Sequence, residues 1–172
     1  MRALILAGLL IAQSVSDNRA PASQQTDIQA RVAPAFSLKN LRGRGVRLSD
    51  YKDKVVLINL WATWCAPCLA EMPELVKLQK AHGARGLQVI GVTYPNDRRS
   101  SVRSMVRKFK LNYPVLFGTP ELLEAYQIGE ILPVTIIVDR NGKIRDRILG
   151  ILEPEDFREK VAPLLDPANR NE

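Results

Sequence analysis

Apolar residues along this chain switch between two spacings. Residues 55–60 (VVLINL) and 87–93 (LQVIGVT) are near-continuous apolar runs rich in β-branched side chains. That pattern predicts strands buried on both faces. Residues 65–82 instead carry Leu69, Met72, Leu75 and Val76 at three- and four-residue steps, which predicts a helix. Gly83 is placed to stop it. Asn96-Asp97 starts a second helix, with Val102, Met105, Val106 and Phe109 as its apolar stripe. Residues 115–117 form a short strand and residues 121–127 a short helix. Residues 134–138 and 143–149 read as a hairpin around Asn141-Gly142. Pro154, followed by Glu155 and Asp156, opens a last helix. Phe157, Val161, Leu164 and Leu165 are its stripe, and Pro163 ends or kinks it. Upstream, residues 35–38 and 46–48 pair through Gly43 and Gly45 as a hairpin. Ser49-Asp50-Tyr51 then makes a turn or a single helical turn.

Strands alternate with helices and finish with a hairpin and a helix. This order predicts an α/β sandwich with a mixed central sheet. The folded domain is expected over residues 33–166, with a short tail at 167–172. Ahead of it, Met1-Arg2 and the apolar run 3–12 (ALILAGLLIA) read as a secretory signal peptide over residues 1–14. A retained membrane anchor is the alternative, although the run is shorter than the ~20 residues that span a bilayer. No cysteine follows it, so no lipid anchor is expected. Residues 15–32 are mostly polar and read as a leader or linker. Either way the domain is expected outside the cytoplasm, where disulfides persist.

The chain has 172 residues, enough apolar material for an ordinary core, and a formal charge of +7. The cations look scattered and no aromatic-interleaved basic motif occurs, so no nucleic-acid partner is expected. Arg98, Arg99, Arg103, Arg107, Lys108 and Lys110 cover the polar side of the second helix. They read as a solvated face, with docking of an acidic partner as the alternative. The two cysteines and single histidine are too few for a closed zinc site, so no metal or cofactor is expected. His82 reads as a favourable residue at a helix C-terminus.

Cys65 and Cys68 stand three positions apart in Trp61-Ala62-Thr63-Trp64-Cys65-Ala66-Pro67-Cys68. They follow a buried strand and open an amphipathic helix. A sulfur there meets unpaired backbone N–H groups and the positive helix end, both of which favour thiolate. In such motifs the thiol pKa falls from about 8.5 to about 7 or lower, a change of about 2 kcal/mol. Cys65 is expected to reach solvent and attack a disulfide. Cys68, one turn later and less exposed, then displaces the product. Pro67 stiffens the first turn. Ala66-Pro67 tunes the potential. Trp64 is expected to be the more exposed tryptophan and Trp61 the more buried.

From residue 33 to 165 the chain resembles the thioredoxin superfamily, in particular its TlpA/ResA branch of extracytoplasmic oxidoreductases. The marks are Ala33-Pro34-Ala35-Phe36-Ser37-Leu38, Leu48-Ser49-Asp50-Tyr51-Lys52-Asp53-Lys54, the dithiol segment, Glu71-Met72-Pro73, Leu132-Pro133-Val134-Thr135 and Asp139-Arg140-Asn141-Gly142-Lys143. The resemblance implies a three-layer thioredoxin-like sandwich with an N-terminal β-hairpin and a helical insertion. It implies a cis Pro133 facing the dithiol, with the Leu132 backbone pairing with substrate; an ordinary trans proline is the alternative. Many thioredoxins carry a buried aspartate where this chain has Asn59. The branch offers Glu71 as the proton acceptor for Cys68 in its place; a solvated helix residue is the alternative. Pro73 is expected to kink the helix. The implied partners are protein disulfides, apocytochrome c among them, and a membrane electron donor, with the protein a monomer.

Other chemistries differ in what they need. A peroxiredoxin-like peroxidase places its reactive cysteine in another sequence setting. A copper-carrying relative adds a late histidine, and none follows His82. A redox-inert interaction module would need sulfurs sealed away or permanently bonded.

Overall fold

The computed structural model describes residues 31–166. The signal peptide, most of the leader (to residue 30) and the tail at 167–172 lie outside the described residues.

The first hairpin is β1 (Ser37–Lys39) and β2 (Gly45–Arg47), antiparallel and two-stranded. Gly43 takes a left-handed φ of 79° in its turn, a conformation without steric cost only for glycine. A 3-10 turn (Leu48–Tyr51) follows. The main sheet holds β3 (Val55–Trp61), β4 (Leu87–Thr93), β5 (Val115–Phe117), β6 (Val134–Val138) and β7 (Ile144–Leu149), in spatial order β5-β4-β3-β6-β7. β3, β4 and β5 run parallel, and β6 and β7 are antiparallel. Helices α1 (Ala66–His82), α2 (Arg99–Lys108) and α3 (Pro120–Ala125) fill the connections.

The period-two alternation of strands decides which side chains meet which layer. Val55, Leu57 and Trp61 of β3 join the cluster that contains α1 residues Cys68, Met72 and Leu75. Val56, Ile58 and Leu60 join the opposite cluster, with Leu38 of the hairpin and Leu122 of α3. Position 59 therefore faces α1, and so does Thr135, its register partner on β6. Gly91 pairs with Asn59 from the other side. A Cβ there would lie 3.0 Å from Trp61 Nε1 and 3.3 Å from the Tyr113 ring, so glycine lets these two rings pack over the strand.

Several element ends differ from expectation. Gly83 keeps right-handed helical angles, and the chain continues through a 3-10 turn (Gly83–Arg85). Gly86, at φ 99°, makes the left-handed stop. Asn96-Asp97 does not start α2; Arg98 is its N-cap. The last helix is α4 (Pro154–Asp156), which passes into a π-helical turn (Phe157–Val161) and a 3-10 turn (Ala162–Leu165). Pro163 lacks the N–H that a regular helix would use there. His82 lies on the Phe157 ring, centroids 4.8 Å apart. Burial and then the Arg85 guanidinium lower its pKa, which weakens the cationic role expected of it at the helix end. Arg31 and Val32, read as linker, are tied to the domain: Arg31 accepts a hydrogen bond from Ile144 N, and Val32 bridges Lys143.

Candidate active site

The chain runs from central β3 to β4 and β5 on one side, then returns to β6 and β7 on the other. Sites in α/β sheets form at the carboxyl ends of strands where the order reverses. The loop 62–65 leaves β3 at that place. It delivers Cys65 to the N-cap of α1, with β-region angles. Cys65 Sγ accepts a hydrogen bond from Cys68 N at 3.3 Å, which satisfies one of the unpaired N–H groups of the helix start. Pro67 sits in the first turn, where a missing N–H costs nothing. The two cysteines form a disulfide with Cα atoms 5.3 Å apart.

The expected order of exposure holds, but its size does not. Cys68 is fully buried and Cys65 is only 5% exposed. In the disulfide, Sγ of Cys65 turns inward to its partner, and the cluster around α1 covers it. Trp64, Ala66 and Pro67 are exposed around it, Trp64 by 68%. Trp61 is buried at 1%, as expected.

Behind the sulfurs lies a buried polar network. Glu71 is one turn beyond Cys68 and 3% exposed, not a solvated residue. Its Oε1 accepts from Asn59 Nδ2 at 2.6 Å, and its Oε2 accepts from Leu152 N at 3.1 Å. Asn59 Nδ2 also donates to Thr135 Oγ1 at 3.1 Å. Burial raises the Glu71 pKa, against the lowering by its Leu152 and Asn59 hydrogen bonds. Burial, and then the Glu71 carboxylate, also push Tyr113 up.

The Leu132–Pro133 bond is cis. Because Leu60 pairs with Val134, Pro133 falls level with Trp61, at the sheet edge from which the Cys65 loop departs. Pro133 is buried and Leu132 half-buried against the α1 cluster. The Pro133 carbonyl accepts from Gly150 N at 2.9 Å.

Asp97 is the residue that sequence reasoning misplaced. Its carboxylate accepts from Thr63 N at 3.0 Å and from Thr63 Oγ1 at 2.7 Å. Tyr94 N donates to the Trp61 carbonyl at 2.7 Å, and the Tyr94 ring meets Trp64 edge-on at 6.2 Å. The β4–α2 loop thus clamps the loop that carries Cys65. Asp97→Ala is expected to cost about 2 kcal/mol of stability through loss of these charge-assisted bonds. Asp97→Asn, which keeps an acceptor, is expected to cost less than half of that. Urea unfolding of both variants checks it; no measurable cost for Asp97→Ala would show that the Thr63 contacts contribute nothing, and equal costs would show that only the carboxylate serves.

The chain matches the AhpC/TSA family over residues 30–147. It is 35% identical over 130 residues to thiol-disulfide oxidoreductase ResA of Geobacillus thermodenitrificans, covering 75% of this chain and 74% of that protein. It is 36% identical over 135 residues to the thioredoxin-like protein YneN of Bacillus subtilis, covering 77% and 78%. Among solved structures it resembles a thiol:disulfide interchange protein of the thioredoxin family from Chlorobium tepidum. There the TM-score is 0.72 at 30% identity, over 81% of this chain and 99% of that one. With a disulfide-forming Cys-X-X-Cys pair capping the first long helix of a thioredoxin-like sheet, the chain belongs to the AhpC/TSA family and is a thiol–disulfide oxidoreductase related to ResA.

Proposed function

We propose that this oxidoreductase is exported and works as a reductase of protein disulfides outside the cytoplasm. Export rests on the charged start and apolar run of residues 1–14. Among the described residues no helix is long and apolar enough to cross a membrane. The single observation that carries the chemistry is the Cys65–Cys68 disulfide at the α1 N-cap, with buried Glu71 one turn behind.

In the reduced protein, Cys65 thiolate attacks one sulfur of a substrate disulfide. The other substrate sulfur leaves as a thiolate, and a mixed disulfide forms. Cys68, deprotonated, then attacks Cys65 Sγ, which releases the second substrate thiolate and closes the 65–68 disulfide. Two electrons pass to the substrate. Glu71 is the acceptor for the Cys68 proton: a raised pKa lets a buried carboxylate hold a proton and return it. Trp64, Ala66 and Pro67 form the exposed rim that a substrate meets, and the Leu132 backbone before cis Pro133 lies along the substrate chain. The resemblance to ResA-type proteins supports apocytochrome c among the substrates and a membrane dithiol as the electron donor. The protein acts as a monomer.

Trapping tests this reading. Cys68→Ser keeps the attacking sulfur and removes the releasing one, so substrates stay bound through Cys65. Expressed in a producing cell, the variant is expected to yield reducible conjugates with exported cysteine proteins, apocytochromes included. Acid-quenched alkylation of the native protein is expected to find Cys65 and Cys68 as thiols. Their full oxidation in the cell would reverse the direction of electron flow.

A further inference from the structure

The cations that look scattered along the chain are gathered by the fold. The hairpin turn, residues 40–46, contributes Arg42 and Arg44. Residues 98–112 contribute Arg98, Arg99, Arg103, Arg107, Lys108 and Lys110. Neither stretch holds an acid, and together they outnumber the whole formal surplus of +7, so the rest of the chain is net acidic. Arg99 and Arg103 both donate to the Leu41 carbonyl, at 3.4 and 3.1 Å, which holds the hairpin turn against α2. All eight cations are exposed.

Elsewhere several surface cations pair with carboxylates: Arg47 with Asp50, Lys77 with Glu74, Arg145 with Asp139, Arg158 with Glu155, and Lys160 with Asp146 and Asp156, while single exposed lysines such as Lys39, Lys52 and Lys80 stand apart from one another in the sequence. None of the eight pairs with a carboxylate among the described residues. Arg99 lies over the Phe117 ring at 4.4 Å and Lys108 over Phe109 at 5.3 Å. Solubility requires net charge but not its segregation. Unpaired charge of one sign on one face creates a field that reaches beyond single contacts.

The patch starts beside the reactive loop. Arg98 follows Asp97, whose carboxylate holds Thr63, two residues before Cys65. Exposed Trp64 meets Tyr94 of the same β4–α2 loop. Whatever sits on the patch therefore lies next to the attacking sulfur of Cys65, which favours a protein substrate over a lipid surface.

We infer that α2 and the hairpin turn form a docking surface for an acidic segment flanking the substrate's disulfide. The inference rests on the disulfide-exchange reading and adds which substrates are chosen. Complementary charge speeds encounter more than it strengthens the final contact.

The test uses the full chain, reduced with a small dithiol that is then removed. Three disulfide-bonded peptides share one core and differ in flanks of glutamate, glutamine or lysine. Each is reduced to two thiols as the Cys65–Cys68 disulfide closes, followed by tryptophan fluorescence. At low ionic strength, with a Debye length of about 30 Å, the glutamate peptide is expected to react at least about tenfold faster than the glutamine one. The lysine peptide is expected to be slowest. At about 1 M salt, where screening is within about 3 Å, the three rates converge. The double variants Arg98→Glu with Arg107→Glu, and Arg98→Gln with Arg107→Gln, are expected to lose the preference while reducing the glutamine peptide at the native rate. One common rate for all three peptides at low salt overturns the docking inference alone. Reduction of none overturns the exchange reading and the inference with it. Equal peptide rates together with salt-sensitive pelleting on phosphatidylglycerol vesicles would assign the patch to a membrane.

Discussion

Cys65→Ser is expected to abolish disulfide exchange, by about a thousandfold or more, while leaving the protein folded. A serine hydroxyl is not ionised near neutral pH and forms no bond to sulfur that Cys68 could later replace. Loss of the 65–68 bond costs about 2 kcal/mol on the chain-entropy scale, because so short a loop constrains the unfolded chain little. Cys68→Ser loses the same bond and so serves as the stability control. It is expected to consume one equivalent of substrate disulfide and stop, whereas Cys65→Ser consumes none. Thiol release from a disulfide-bonded protein, measured for both variants, checks this. Turnover by Cys65→Ser would remove residue 65 from the mechanism.

Glu71→Ala is expected to destabilise the protein by about 3 kcal/mol, because it strands the Asn59 amide and the Leu152 N–H without their acceptor in the interior. Glu71→Gln keeps the volume and one acceptor oxygen but removes the titration, so it isolates the charge. Burial raises the folded-state pKa of Glu71 above its ordinary value of 4.5. Between those two values the unfolded chain binds fewer protons than the folded one, so stability falls as pH rises. The loss begins near the unfolded pKa of 4.5 and is complete above the raised folded one. The stability of native protein relative to Glu71→Gln is therefore expected to decline across that window and then level off. Guanidinium midpoints of both proteins over a pH series measure it. A relative stability that rises with pH would mean the folded carboxylate is stabilised as the anion, and Glu71 would then be a poor proton acceptor for Cys68.

Much of the fold was legible because its causes are local. The run 87–93 matches β4 residue for residue, since a near-continuous apolar stretch between turn residues has one economical placement. Asn141-Gly142 located the β6–β7 turn through the left-handed φ of 76° that Gly142 supplies. The dithiol was legible for the same reason, as strand, loop and helix start lie within one short segment.

Other positions depended on partners distant in the chain. Asp97 resembles a helix cap by type, yet its carboxylate is taken by Thr63, 34 residues earlier. Glu71 is joined to Asn59, 12 residues away, and to Leu152, 81 residues away. Asn59 and Thr135 were visible as polar interruptions in apolar strands, but nothing local said that the two would meet. His82 suits a helix end by charge, but it packs on the Phe157 ring, and burial and then the Arg85 guanidinium lower its pKa.

The order of the elements, the two sulfurs at a helix start and the exchange chemistry they permit are written locally in the chain, because spacing and local backbone preference govern each of them. The burial of Cys65, the partners of Glu71 and Asp97, and the seating of the hairpin turn with Arg42 and Arg44 against the cations of α2 come from the folded state alone. Those properties belong to contacts through space, and the chain specifies such contacts only once the sheet has brought its distant segments together.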